Sequence, residues 1–114
     1  MRDSGKDILV RHYEVLISDK ANEDMEAIYK YIAEMLLVPT TAAKQYDRIL
    51  EAVLSLEKMP ERIKIMDSEP EHSKGLRALV IDNYTVFFVI RNETVYIARV
   101  LYSASDISKR LSEE

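Results

Sequence analysis

Three apolar segments follow one another in the C-terminal half of the chain, with only a few polar residues between them. They are LRALVID at 76–82, YTVFFVI at 84–90 and TVYIARVLY at 94–102, and each is rich in β-branched and aromatic residues. The intervening turns are short, so consecutive segments are joined as hairpins. The spacing therefore predicts an antiparallel meander of three strands.

Two helices are predicted before this meander. Apolar residues recur at helical spacing over 21–36 and again over 43–54, with charged residues on the opposite faces. Ser18 is placed to cap the first helix, and Pro39 ends it. The connection is so short that the two helices must form an antiparallel hairpin.

The remaining elements are short. Residues 13–18 read as a strand, and residues 60–75 contain two prolines and a glycine and are expected to be mostly loop. A last helix is predicted after Ser103 or Ser105, with Ile107 and Leu111 as its apolar contacts. The expected fold is α+β, in the order β-α-α-β-β-β-α, with the helical hairpin packed on a small, twisted, mainly antiparallel sheet.

Length and composition limit the possible functions. A chain of 114 residues forms one domain, which we assign to 12–114 after a polar leader at 1–11. There is no cysteine, and the two histidines are far apart in sequence, so no metal site and no cofactor are predicted. The net charge of −4 argues against strong phosphate binding. Without a membrane-length apolar segment or a signal sequence, the expected location is the cytoplasm.

The predicted strands are apolar on both faces, although an antiparallel sheet with one face in water usually alternates. An uncovered apolar face of this size is typical of a partner surface. The alternative is that the terminal helix and the 60–75 loop cover this face. The residues predicted to bind a partner are Tyr84, Phe87, Val89, Tyr96 and Val100.

Several segments, taken in this order, resemble the RelE/ParE superfamily of toxins from bacterial type II toxin–antitoxin (plasmid stabilisation) modules. They are YKYIAE in the first helix, LEKMPER after the second, GLRALVIDNYTVFFVI and VYIARVLYSASD. The resemblance covers nearly the whole chain. It implies a RelE/ParE-like fold and a small cytoplasmic toxin that is held inactive by a cognate antitoxin protein.

The superfamily contains two activities, and the resemblance allows either. RelE-like members are metal-independent endoribonucleases that cut mRNA on the ribosome, whereas ParE-like members block DNA gyrase. A third possibility is a degenerate, non-toxic module that still binds an antitoxin.

For the nuclease activity, the resemblance nominates Arg77, Arg99 and Tyr102 as catalytic residues. Lys64 and Lys74 of the loop would bind the substrate, with His72 beside them. Such a reaction needs a base for the 2′-hydroxyl, cations for the transition state and an acid for the leaving oxygen.

Each candidate also has a structural interpretation. Tyr102 can be a core or partner-contact tyrosine, and Arg77 can pair with Glu69 or Glu71 of the loop or with an acidic residue of the antitoxin. Arg99 can form an ion pair near a helix end, and His72 can be a solvated loop side chain.

The chain also departs from the nuclease pattern. Thr85 stands where ribonuclease members place an arginine, and Ala104 and Ser105 stand where many relatives have basic residues. Each missing guanidinium removes transition-state stabilisation of ~10² to 10³ in rate. Together with the acidic net charge, these departures favour a ParE-like or attenuated toxin over a nuclease.

Overall fold

The computed structural model describes residues 12–112, and the polar leader predicted at 1–11 lies outside them. The order of elements is the predicted β-α-α-β-β-β-α, which confirms the α+β fold. The strands are β1 (Glu14–Ile17), β2 (Arg77–Ile81), β3 (Tyr84–Arg91) and β4 (Thr94–Tyr102), and the helices are α1 (Asp19–Lys30), α2 (Pro39–Leu54) and α3 (Ile107–Leu111).

The four strands form one sheet in the order β1-β4-β3-β2. Strands β2, β3 and β4 are the predicted antiparallel meander, and β1 pairs with β4 in parallel. Asp82 and Asn92 take positive φ values of 56° and 58° in the two hairpin turns. Aspartate and asparagine tolerate this left-handed conformation better than most residues, so the turns suit their sequences.

The two long helices start and stop largely where the sequence predicts. The Ser18 side chain caps α1 by accepting a hydrogen bond from the Ala21 N–H. After Lys30 the helix widens into a π-helical turn, Tyr31–Met35, and Pro39 is the first residue of α2. In α2 the buried stripe includes Ala42, not Ala43 as the periodicity suggests.

The main core lies between the helical hairpin and one face of the sheet. Its central aromatic residue, Phe88, is fully buried, and Met25 of α1 and Ile49 of α2 pack into the same cluster. Burying each such side chain contributes about 1.5–3 kcal/mol to folding. The hairpin therefore covers the helix-facing side of the sheet.

The opposite, outer face of the sheet is also partly covered. Phe87 and Leu101 are buried there under Ile107 and Leu111 of α3 and Met66 of the loop. The structure thus shows the alternative in which the terminal helix and the 60–75 loop cover this face. The cap of α3 is Asp106, which accepts from the Lys109 N–H, and not Ser103 or Ser105.

A β-bulge in β4 changes which of its side chains share a face. Phe88 pairs with Ile97 and Phe87 pairs with Arg99, so Ala98 is an extra residue between the two pairs. Beyond it Val100 faces the helices and belongs to the main core, while Leu101 faces outward. The predicted grouping of Val100 with Tyr96 on one exposed face is therefore wrong.

Candidate functional site

Beyond the end of β1, the backbone of β4 is hydrogen-bonded by side chains at and within α1. The last pair between the two strands is Ile17 with Ile97. Next, the Ser18 hydroxyl donates to the Ala98 carbonyl (3.0 Å), and the Val100 N–H donates to Asp24 Oδ2 (2.9 Å). These bonds satisfy backbone groups that would otherwise be buried without partners.

Arg99 forms the buried ion pair that its structural interpretation predicts. Its Nε and one terminal nitrogen donate to the Asp24 carboxylate at 2.8 and 2.9 Å. The other terminal nitrogen donates to the Arg110 carbonyl oxygen of α3 (2.9 Å), and Arg99 is 2% exposed. The guanidinium therefore joins α1, β4 and α3 and is not directed at a substrate.

Arg77 lies at the start of β2, far from Tyr102. Its guanidinium donates to the Ile63 carbonyl oxygen (2.6 Å), so the predicted pairing with Glu69 or Glu71 is wrong. Arg77 pairs with Phe88 and Tyr102 with Tyr84. Four residues along a strand and two strand spacings separate Arg77 from Tyr102, roughly 15 Å.

The other predicted substrate-binding residues are exposed on the loop before β2. Lys64 pairs with Asp67 (3.2 Å), and Lys74 is exposed near the tight turn at Gly75. His72 is exposed, and its Nδ1 lies 2.9 Å from the Met66 carbonyl oxygen. All three lie near the end of the sheet where β2 begins with Arg77. Tyr102 lies at the opposite end of the sheet.

Tyr102 ends β4 on the helix-facing side of the sheet and is 51% exposed. Its ring packs edge-on against Tyr84, with 5.9 Å between the ring centroids. On the outer face nearby, the Thr85 and Ser103 hydroxyls hydrogen-bond each other at 2.7 Å. The strand end thus carries two phenols, Tyr84 and Tyr102, and at Thr85 it has a neutral hydroxyl where ribonuclease members place an arginine.

An open groove of about 530 Å³ runs between α1 and the strand end. Helix α1 and its π-helical turn form one wall, the ends of β3 and β4 form the other, and α3 closes one side. The residues that line it are Asp24, Ala27, Ile28, Tyr31, Ile32, Leu36, Asn83, Tyr84, Val100, Leu101, Tyr102 and Arg110.

The groove is mainly apolar, with phenols in its walls. Burial, together with Tyr102 and Tyr31 nearby, raises the pKa of Tyr84, so its phenol stays protonated and can donate a hydrogen bond. The sequence pattern predicts helices and strands for these residues but does not indicate that they meet in one groove. The apolar α1 face and the tyrosines around the β3 and β4 ends were the available signal.

The five predicted partner-binding residues do not form one surface. Tyr84 and Val100 line the groove, whereas Phe87 is buried beneath α3. Tyr96 and Val89 lie on the outer face in register with Leu16 of β1. Tyr96 and Leu16 are each 41% exposed, so this part of the outer face is an open apolar row.

Within residues 12–112, the predicted catalytic residues do not converge. Arg99 is held by Asp24, Arg77 lies at the other end of the sheet, and Tyr102 lies in the groove with Arg110. This arrangement is suited to binding an apolar protein segment. Among the described residues, Arg77, Arg99 and Tyr102 are therefore not positioned to act together on one phosphate.

The chain is similar to known toxins in sequence and in fold. Residues 15–107 match the family described as ParE toxin of the type II toxin–antitoxin system parDE. No curated protein sequence matches the chain. No helix in the part of the chain that the structure describes is long and apolar enough to cross a membrane.

Two solved structures share the fold. A chromosomal ParDE toxin–antitoxin system from P. aeruginosa gives a TM-score of 0.68 at 24% identity, covering 80% of this chain and 96% of that chain. The toxin–antitoxin complex RelBE2 from Mycobacterium tuberculosis gives 0.58 at 21% identity, covering 83% and 95%. Since the family match extends over most of the sequence, the chain belongs to the ParE toxin family of type II toxin–antitoxin systems.

Proposed function

We propose that this toxin acts in the cytoplasm by binding DNA gyrase, and that it is not an mRNA endoribonuclease. The observation that carries the proposal is the separation of the candidate catalytic residues. Arg99 is buried in an ion pair with Asp24, and Arg77 lies roughly 15 Å from Tyr102 by strand spacing.

Among the described residues that line the groove with Tyr102, Arg110 is the one cation, and a single cation is insufficient for the paired stabilisation that RNA cleavage requires. The Thr85 and Ser103 hydroxyls hydrogen-bond each other, and neither carries the positive charge that stabilises a phosphorane-like transition state. Loss of each such cation lowers the rate by ~10² to 10³. A toxin that acts by binding its target needs none of these groups.

We also propose that the cognate antitoxin occupies the groove between α1 and the strand end. The groove is concave and mainly apolar, and it has phenols that can hydrogen-bond a peptide. Such grooves bind amphipathic helices through apolar residues at i, i+3, i+4 and i+7. The two structural neighbours are a ParDE system and a RelBE2 toxin–antitoxin complex, which supports an antitoxin as partner.

Inhibition of gyrase supercoiling by the purified toxin tests the proposed target. The wild-type protein is expected to inhibit, and Arg77→Ala and Tyr102→Phe are expected to inhibit as well as wild type. Unaffected supercoiling at high toxin excess would overturn the proposal. If such a toxin still bound its antitoxin and induction of the isolated gene did not arrest growth, the degenerate binding module would be the correct description.

Two tyrosines of the first helical segment provide a matched test of the groove. Tyr31 lines the groove, whereas Tyr29 packs against Tyr46 on another surface of the hairpin. Tyr31→Ala is expected to weaken antitoxin binding at least tenfold, measured by titration calorimetry, and Tyr29→Ala less than threefold. Equal effects of the two variants would remove the groove from the antitoxin interface.

A further inference from the structure

The connection between α1 and α2 exposes four consecutive apolar side chains, Met35 to Val38, which we call the hairpin tip. Leu37 is 78% exposed and Met35 is 71% exposed. Single exposed apolar residues are ordinary on protein surfaces, but an uninterrupted apolar projection of this kind marks an interaction site.

The backbone of the tip is built in an uncommon way. The π-helical turn closes through a bond from the Leu36 N–H to the Tyr31 carbonyl, and the Val38 N–H donates to the Ile32 carbonyl. Leu37 has a φ of 57°, a left-handed conformation that glycine or asparagine adopts at lower cost. Pro39 then fixes the start of α2. The tip is therefore held by hydrogen bonds while presenting a leucine where the backbone disfavours one.

We infer that the hairpin tip is the anchor by which this toxin inserts into an apolar cleft of its target protein. The inference rests on the proposed function, because a toxin that inhibits by binding needs a surface that supplies the binding energy. Rigid apolar side chains that fill a pocket on the partner supply most of that energy in protein interfaces.

The charge and size of the tip favour a protein cleft as its partner over nucleic acid, a lipid surface or a second copy of this chain. There is no lysine or arginine from residue 31 to residue 43, so the tip lacks the cations that nucleic acids and anionic lipid surfaces require. A stable pair of protein chains buries about 20–30 residues on each side. Four residues cannot hold two copies of this chain together, whereas a cleft can enclose them on several sides.

The shape of the tip separates it from the proposed antitoxin site. The groove is concave and receives a segment of the partner, whereas the tip projects and must be received by one. Leu36 belongs to both surfaces, since it lines the groove at its junction with the tip. An antitoxin in the groove would therefore cover part of the tip, and neutralisation follows from competition for that residue.

The test is a substitution that removes the apolar side chain but suits the backbone. Asparagine tolerates the φ of 57° at position 37 better than leucine does. The Leu37→Asn variant is therefore expected to melt at or above the wild-type temperature. Leu54→Gln is the control, because Leu54 is an exposed leucine of α2 outside the tip. Met35→Gln is a second tip variant that is compatible with helix.

Leu37→Asn and Met35→Gln are each expected to raise the toxin concentration for half-inhibition of gyrase supercoiling at least tenfold. Leu54→Gln should change it less than twofold, and antitoxin binding by both tip variants should stay within threefold of wild type.

Wild-type inhibition by both tip variants would overturn the inference and leave the proposed function standing. Loss of antitoxin binding, or a wild-type dimer that Leu37→Asn dissociates, would assign the tip to another partner. A wild-type toxin without effect on gyrase would overturn the proposed function and the inference together.

Discussion

Arg99 joins three elements of this protein through one side chain. It starts on the outer face of β4, passes the edge that β1 leaves open, and reaches Asp24 on α1. The same carboxylate accepts the Val100 N–H, and Arg99 donates to the Arg110 carbonyl. A buried charge with this many hydrogen bonds is satisfied as a unit, so removing one member leaves the others unpaired.

A double-mutant cycle on Asp24 and Arg99 measures this coupling. Arg99→Ala and Asp24→Ala are each expected to lower the free energy of unfolding by about 3–5 kcal/mol, because each leaves an uncompensated buried charge. The double variant should cost clearly less than the sum of the two. Urea unfolding gives the free energy of unfolding of each of the three variants. If each single substitution costs less than about 1 kcal/mol and the two costs add in the double variant, the ion pair contributes no more than an exposed one.

Asp82 is the residue whose charge gives a pH dependence with a defined sign. Hydrogen bonds from Arg48 and Gln45 lower the pKa of Asp82 below its usual value of 3.8. The resulting stability is present above pH 3.8 and is lost as the pH falls through the lower pKa of the folded state. The effect is small, because Arg48 is exposed.

The difference in melting temperature between the wild type and Asp82→Asn should therefore narrow as the pH falls from 7 to below 3.8. Asparagine also suits the positive φ at this turn, but this contribution does not depend on pH. It therefore does not alter how the difference in melting temperature changes with pH. In an Arg48→Gln background the pH dependence of the difference should be strongly reduced. A difference that stays constant with pH would show that the ion pair contributes nothing to stability.

Among the elements, the short helix α3 decides which apolar residues remain available to a partner. It covers Phe87 and Leu101 with Ile107 and Leu111, but it leaves Tyr96 exposed on the same face. Two aromatic residues that look equivalent in the sequence therefore have different roles. Phe87 belongs to the interior, whereas Tyr96 is open to a partner.

Truncating these two side chains should separate their roles. Phe87→Ala removes a buried ring and is expected to cost about 3–5 kcal/mol of unfolding free energy. Tyr96→Ala, from a half-exposed position, should cost about 1 kcal/mol. Denaturant unfolding measures both, and similar costs for the two variants would contradict the assignment of Phe87 to the core.

Much of this fold follows from local sequence patterns, and its exceptions have local causes. Helical spacing predicts α1 and α2, and the alternation of β3 holds along its length. The faces of β4 could not be predicted, because the bulge at Ala98 leaves no clear trace in an apolar strand. Helical spacing also continues to Met35 and Leu36, although these two side chains are exposed.

The candidate site was predictable only in part. Tyr102 and Arg99 are three residues apart in β4, so strand alternation alone places their side chains on different sides of the sheet. The partner of Arg99, Asp24, lies 75 residues away, and no local pattern indicates that contact. Long-range contacts of this kind need the assembled sheet.

For the molecule as a whole, we propose that binding surfaces carry the activity in place of a catalytic centre. One side of the hairpin forms the groove that we assign to the antitoxin, and the projecting end forms the tip that we assign to the target. The net charge of −4 agrees with protein partners more than with a nucleic-acid substrate. We therefore expect growth inhibition without RNA cleavage.

The most direct test of this claim is to map new mRNA 5′ ends within minutes of inducing the isolated gene in a bacterial host. We predict growth arrest while no new 5′ ends appear inside translated codons, with accumulation of the protein confirmed in the same cells. Arrest accompanied by cleavage within codons would contradict the account, because it would show that Tyr102 and its neighbours are sufficient for catalysis.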